Sequence, residues 1–141
     1  MRTRLHTALI EASGMHSRRS RQDFQKLDLS YGQPKVLEYL LKNENCPQNE
    51  IAERCMVEPA TMTVLLRNMV NKGLILKKSI RVSCGKHAYG ISLTELGREK
   101  ALDSIEIILE LEEASFKGFS EDDKDKLVEL LEKVTKNLSE K

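Results

Sequence analysis

The stretch from Glu58 to Ile75, EPATMTVLLRNMVNKGLI, combines an apolar helical face with an unusual polar one. Helical spacing places its larger apolar side chains on one side, which predicts that they pack into a core: Met62, Leu65, Leu66, Met69 and Val70. The opposite side carries small, hydroxyl, amide and guanidinium groups and no acidic residue: Ala60, Thr61, Thr63, Val64, Arg67, Asn68 and Asn71. Such groups form hydrogen bonds without adding negative charge, so the chemistry of this face suits an anionic partner.

The distribution of charge along the chain agrees with an anionic partner. The formal net charge is only +1, but residues 54–87 contain seven Lys or Arg and one Glu. Residues 95–141 contain eight Lys or Arg and fourteen Asp or Glu. We therefore expect a polyanion to contact the basic middle of the chain rather than its acidic C-terminal part.

The elements that position this face follow from local signals. Ser30, with Gln33 three residues later, has the pattern of a capping box and predicts a helix start, with Pro34 in the first turn. A shorter helix is predicted from Pro47, and its apolar residues Ile51, Ala52 and Cys55 are expected to face the core. Pro59 then starts a third helix, which Gly73 ends in a C-cap position. Two short helices joined by about four residues predict a helix-turn-helix.

The residues after Gly73 change from helical to strand periodicity. The segments GLILKKSIRV and HAYGISL are predicted to form a hairpin whose tip is Ser83-Cys84-Gly85. A helix-turn-helix followed by a basic hairpin is a winged helix. The fold class predicted for the chain is therefore mainly α, with a small β-hairpin wing over residues 30–93.

Helices are also predicted on both sides of the winged helix. One covers residues 3–25, another follows Thr94 as N-cap, and a last one follows Ser120 with an acidic first turn. The last helix has an apolar stripe at heptad-like spacing that needs a partner helix. We expect residues 1–27 and 94–141 to form dimerisation helices, with these apolar residues buried between two chains: Leu5, Leu9, Leu127, Leu131, Val134 and Leu138.

Three runs of the sequence resemble the MarR family of bacterial winged-helix transcription regulators: LDLSYGQPKVLEYL, PQNEIAERCMVEPATMTVLLRNMVNKGLI and ISLTELGREKA. The resemblance implies a cytoplasmic homodimer that binds a pseudo-palindromic double-stranded DNA operator and represses transcription, without enzymatic activity or cofactor. Members of that family often bind small aromatic or phenolic anions between their dimerisation and DNA-binding regions. An effector of that class is thus implied, although nothing in the sequence names one.

The resemblance also implies which residues contact DNA. A helix in the major groove must reach base edges and phosphates without adding negative charge. Thr61 and Thr63 can donate to phosphates or touch a thymine methyl, and Arg67 can bind guanine or a phosphate. The competing interpretation is a merely solvated helix face, which the basic wing downstream disfavours. The full predicted contact set is Pro59, Ala60, Thr61, Thr63, Val64, Arg67 and Asn68 in the helix, and Lys78, Arg81, Lys86 and His87 in the wing.

The sequence departs from the family pattern at three places. Pro47 stands where the family usually has a threonine cap, and Glu58 where Asp or Ser commonly caps the recognition helix. The family's Asp-x-Arg at the wing tip aligns on Gly85, Lys86 and His87. The ion pair that usually braces the wing is therefore lost, and which basic residue enters the minor groove is left open.

Other chemistry has little support in the sequence. There is no HExxH, GxGxxG, GxxxxGK[ST] or GxSxG motif, the three histidines lack metal-ligand spacing, and no run of about 18 apolar residues exists. Three cysteines without a CxxC pair argue against disulfides and zinc, and for a reducing cytoplasm. Cys84 is either a redox switch or an incidental exposed thiol, and Cys55 is expected to be inert core. The alternative function is a winged-helix protein interaction module that binds no DNA.

Overall fold

The computed structural model describes residues 3–81 and 87–140 and contains two compact units. The first, Met1–Ile108, holds helices α1 (Arg4–Lys26), α2 (Gln33–Lys42), α3 (Gln48–Arg54) and α4 (Pro59–Asn71), a small sheet and most of α5 (Glu95–Ser115). The second, Leu109–Lys141, holds the end of α5 and α6 (Glu121–Ser139). The predicted fold class, mainly helical with a winged helix-turn-helix, is confirmed.

The core of the first unit lies under the helix-turn-helix. Its members come from α2, α3, α4 and the sheet, and the largest fully buried side chains include Leu37, Leu40, Ile51, Leu66 and Ile91. Ile51, Ala52 and Cys55 of the α3 region are all buried, as predicted. Because these apolar residues recur at helical spacing on each helix, burying them fixes the rotation of each helix and leaves its polar side exposed.

The sheet has three antiparallel strands in the order β1-β3-β2. Strands β2 (Ile75–Arg81) and β3 (His87–Leu93) form the predicted hairpin, with Ile75 opposite Leu93 and Arg81 opposite His87. Strand β1 (Cys46–Pro47) pairs with Ile91 and Gly90 of β3 and was not predicted. This short pairing places the start of α3 against the base of the wing.

Several local signals act as the sequence predicts. Gly73 has φ 75° just after α4, a left-handed conformation that glycine adopts without a steric penalty. Thr94 Oγ1 accepts a hydrogen bond from the Gly97 backbone N–H at 2.9 Å, so Thr94 caps α5. Ser120 caps α6 in a complete capping box with Asp123.

Two predictions about individual residues were wrong. Ser30 does not cap α2, which begins at Gln33 after Gly32 (φ 83°), and only the reverse half of the box forms, from Ser30 N–H to Gln33 Oε1 at 3.0 Å. Gly32 is the N-cap residue instead, in a left-handed conformation that glycine adopts without a steric penalty. Val70 is 39% exposed rather than buried with the apolar face of α4.

Candidate nucleic-acid interface

Helix α4 separates its buried and exposed residues as the sequence predicts, apart from Val70. Met62, Leu65, Leu66 and Met69 are at most 6% exposed. All of the predicted contact residues on its other side are exposed: Pro59, Ala60, Thr61, Thr63, Val64, Arg67 and Asn68. The exposed side therefore offers one guanidinium group, amide and hydroxyl groups and small apolar surfaces, with no carboxylate between Pro59 and Asn71.

A hydrogen bond joins the two helices of the helix-turn-helix on this exposed side. The Gln48 amide Nε2, at the start of α3, donates to Thr63 Oγ1 at 2.8 Å. The Thr63 hydroxyl in turn donates to the Pro59 carbonyl oxygen at 3.1 Å. Sequence reasoning did not single out Gln48, because its partner lies fifteen residues away. Gln48 and Thr63 also line a shallow depression between α3 and α4.

A second depression lies between the start of α2 and α4. It has a volume of about 460 Å³. The residues that line it are Ser30, Tyr31, Gln33, Ala60, Thr61, Val64, Leu65 and Asn68. Tyr31 is 75% exposed at its rim, and the Lys35 ammonium lies 5.6 Å from the centre of the Tyr31 ring. An exposed cation and a phenol hydroxyl thus flank the polar side of α4, where either can bind a phosphate.

Lys72 holds the C-terminal end of α4 in place. Its Nζ donates to the Asp28 carbonyl oxygen at 2.6 Å and to Gln33 Oε1 at 3.3 Å. Asp28 has φ 58°, and its carboxylate lies 3.7 Å from the same ammonium. Since Gln33 is only 1% exposed, Lys72 connects the end of α4 to a fixed point at the start of α2. This connection sets the position of the exposed side of α4 relative to α2.

Strand β2 of the wing has a run of four exposed residues, Leu76 to Ser79, which includes Lys77 and Lys78. Arg81, at the end of the strand, is also exposed. Because side chains alternate along a strand, Lys78 and Arg81 point to opposite faces of the hairpin. The predicted contact Lys86 and the predicted redox residue Cys84 lie outside the described residues. His87 lies opposite Arg81 in the register of β2 and β3. Its side chain is outside the described part of the structure, so its predicted contact with DNA stays a prediction.

The two described cysteines lie in the core. Cys46 Sγ donates to Glu50 Oε2 at 3.1 Å, and the Tyr39 hydroxyl donates to Glu50 Oε1 at 3.2 Å. Burial and the adjacent Glu50 carboxylate raise the pKa of the Cys46 thiol to about 11. Burial also raises the pKa of Cys55. Both thiols are therefore protonated near neutral pH and are poor nucleophiles.

Comparison with known proteins agrees with this geometry. The MarR family model matches residues 29–80, which contain α2, α3, α4 and most of β2. The resemblance to the MarR family that the sequence predicts is confirmed over these residues. A search of curated proteins found no match to this chain.

Solved structures of MarR-type regulators share the fold over nearly the whole chain. A MarR protein from Peptoclostridium difficile is 22% identical, with a TM-score of 0.88 over 98% of this chain and 89% of that one. A MarR-family transcriptional regulator from Listeria monocytogenes complexed with a 26mer DNA is 25% identical, with a TM-score of 0.84 over 98% and 90%.

A third similar structure is the organohalide-sensing transcriptional regulator RdhR-CbdbA1625 in its 2,4-dichlorophenol-bound form. It is 20% identical, with a TM-score of 0.79 over 94% of this chain and 78% of that one. Together, the family match over residues 29–80 and the regulator solved with DNA support a winged-helix, DNA-binding transcription regulator. In the described part of the chain, no helix is long and apolar enough to cross a membrane.

Proposed function

We propose that this chain is a transcriptional repressor that binds a pseudo-palindromic operator as a homodimer in the cytoplasm. The observation that carries the proposal is the exposed side of α4, which is polar and free of carboxylates, while the opposite side of the helix is packed into the core. A helix of this composition can enter the major groove, where Arg67 and Asn68 bind base edges or phosphates. The basic strand β2 adds phosphate contacts on the wing side.

The homodimer is supported by apolar surface on the terminal helices. On α1, Leu5 is 54% and Leu9 is 36% exposed. On α6, every residue of which is described, none is buried, although the helix has an apolar stripe. Its predicted interface residues Leu127, Leu131, Val134 and Leu138 include three that are 39% to 79% exposed. Exposed leucines in such number are costly in water and are typical of a surface that a second chain covers.

A twofold dimer presents two copies of α4 and therefore favours an operator with two related half-sites, one helical turn apart. Binding of that kind over a promoter blocks transcription, which is why repression is proposed. A small phenolic effector is the remaining part of the proposal. It is supported by the similarity to a regulator solved with 2,4-dichlorophenol, and by the depression of about 460 Å³ beside α4 that Tyr31 and Asn68 line.

Two experiments test this proposal. The first selects the sequences that the protein binds from a random duplex library, and the second measures the size of the purified complex by sedimentation. We expect enrichment of an inverted repeat and a complex of two chains per duplex. The same selection repeated with 2,4-dichlorophenol should show weaker retention if phenols are effectors. If no sequence is enriched, the proposed sequence-specific DNA binding is contradicted and a protein interaction module is favoured. If one chain binds each half-site without dimerising, the proposed homodimer is contradicted.

A further inference from the structure

The hydrogen bonds of Thr63 restrict what this residue can read. Its hydroxyl has one proton, and that proton is donated to the Pro59 carbonyl oxygen within α4. One of its two lone pairs accepts from Gln48 Nε2. The hydroxyl therefore has no proton left to donate to a phosphate or a base. Thr63 is nevertheless exposed, so what it has left to present is its methyl group and one lone pair.

We propose that Gln48 and Thr63 act together as a thymine-reading pair, in which the Thr63 methyl group contacts the C5 methyl of one thymine in each half-site. This inference rests on the proposed DNA binding by α4. In the major groove the C5 methyl group distinguishes thymine from the other bases, and small apolar groups recognise it by contact. A threonine can either donate its hydroxyl proton to a phosphate or contact a thymine through its methyl group. Because the Thr63 proton is already donated to Pro59, the methyl contact is the role that remains.

Gln48 is a positioning residue in this pair. Threonine in a helix divides between two side-chain rotamers, one of which bonds a carbonyl oxygen in the preceding turn. The bond from Gln48 adds a second partner to the hydroxyl in that rotamer, at 2.8 Å, and so favours one orientation of the methyl group. The bond also joins α4 to α3, whose Ile51 and Ala52 are buried in the core.

Replacing thymine by deoxyuridine tests the proposal, because it removes only the C5 methyl group. The selected operator is synthesised with each thymine replaced in turn, and binding of the full-length protein is measured by fluorescence anisotropy. For the wild type, we expect one position per half-site at which deoxyuridine weakens binding about fivefold, the low end of the cost of one altered base pair. Thr63→Val keeps the methyl group and should retain this sensitivity, because valine in a helix holds one strongly preferred rotamer without the Gln48 bond. Thr63→Ser loses the methyl group and should not retain it.

Two further variants separate positioning from general damage. Gln48→Met keeps the length of the side chain but cannot donate, so it should reduce the deoxyuridine effect at that position while thermal unfolding stays close to the wild type. Asn49→Ala, at an exposed neighbour on α3, should leave the deoxyuridine effect intact. The reverse pattern, with sensitivity kept in Thr63→Ser and lost in Thr63→Val, would overturn the proposal, as would equal effects in all variants. A wild type that selects no sequence would overturn the proposed DNA binding itself.

Discussion

Replacement of Lys72 by Met tests whether the end of α4 is held by a charged hydrogen bond. Methionine keeps the aliphatic stem and removes the ammonium, which donates to the Asp28 carbonyl oxygen at 2.6 Å and to Gln33 Oε1 at 3.3 Å. A hydrogen bond from a charged donor contributes about 1.5 to 3 kcal/mol. The Asp28 carboxylate is 90% exposed, and an exposed ion pair of this kind adds about 0 to 1 kcal/mol. The Lys72 side chain is 32% exposed, so we take the lower part of the range, about 2 kcal/mol.

Urea unfolding at fixed protein concentration measures this loss, and the corresponding fall in Tm is about 6 to 8 °C. Asp28→Asn is the matched control. It removes the carboxylate charge but keeps the carbonyl oxygen, and asparagine tolerates the positive φ of this position. We expect it to cost less than about 0.5 kcal/mol. Equal destabilisation by the two variants, or none by Lys72→Met, would refute the reasoning.

Three further predictions concern assembly, DNA contact and the buried thiol. Leu131→Asp places a charge on the exposed apolar stripe of α6 and should give monomers in sedimentation velocity, so a stable dimer of this variant would argue against an α6 interface. Arg67→Ala should cost about 1 to 3 kcal/mol of binding at one base position if Arg67 binds guanine, and should weaken binding to all sequences alike if it holds a phosphate; no change in either would exclude Arg67 from the interface. Because the folded-state pKa of Cys46 is raised to about 11, its contribution to stability is complete below the ordinary thiol value and is lost as pH rises toward 11. Cys46→Ser should therefore lose less stability than the wild type between about pH 9 and 11 in urea titrations, and equal losses would contradict the raised pKa.

The sequence predicts those parts of the fold that depend on neighbours in the chain. Gly73 ends α4, Thr94 caps α5 and Ser120 caps α6 because each signal acts within one helical turn. The buried side of α4 is also predictable, because packing four of its large apolar residues outweighs other local preferences. Its exposed composition, together with the basic residues downstream, already indicated the candidate site.

Features that depend on distant residues could not be predicted in the same way. Helix α2 begins after Gly32, whose backbone is left-handed and which packs close to Leu65, and not at the Ser30 capping pattern. Strand β1 is two residues long and acquires its conformation only by pairing with β3, more than forty residues later. The bond between Gln48 and Thr63 likewise becomes visible only when α3 and α4 are packed, and it changes which chemistry Thr63 can offer.

The central claim is that the exposed side of α4 meets the phosphates and bases of DNA. A matched pair of substitutions tests it, each changing one exposed asparagine to aspartate: Asn68→Asp on α4 and Asn137→Asp near the end of α6. Operator affinity measured by fluorescence anisotropy should fall at least about tenfold for Asn68→Asp, which is about 1.4 kcal/mol, because a carboxylate is brought against the polyanion. Asn137→Asp should bind like the wild type. Equal affinity of both variants, with both folded, would contradict the placement of α4 on DNA.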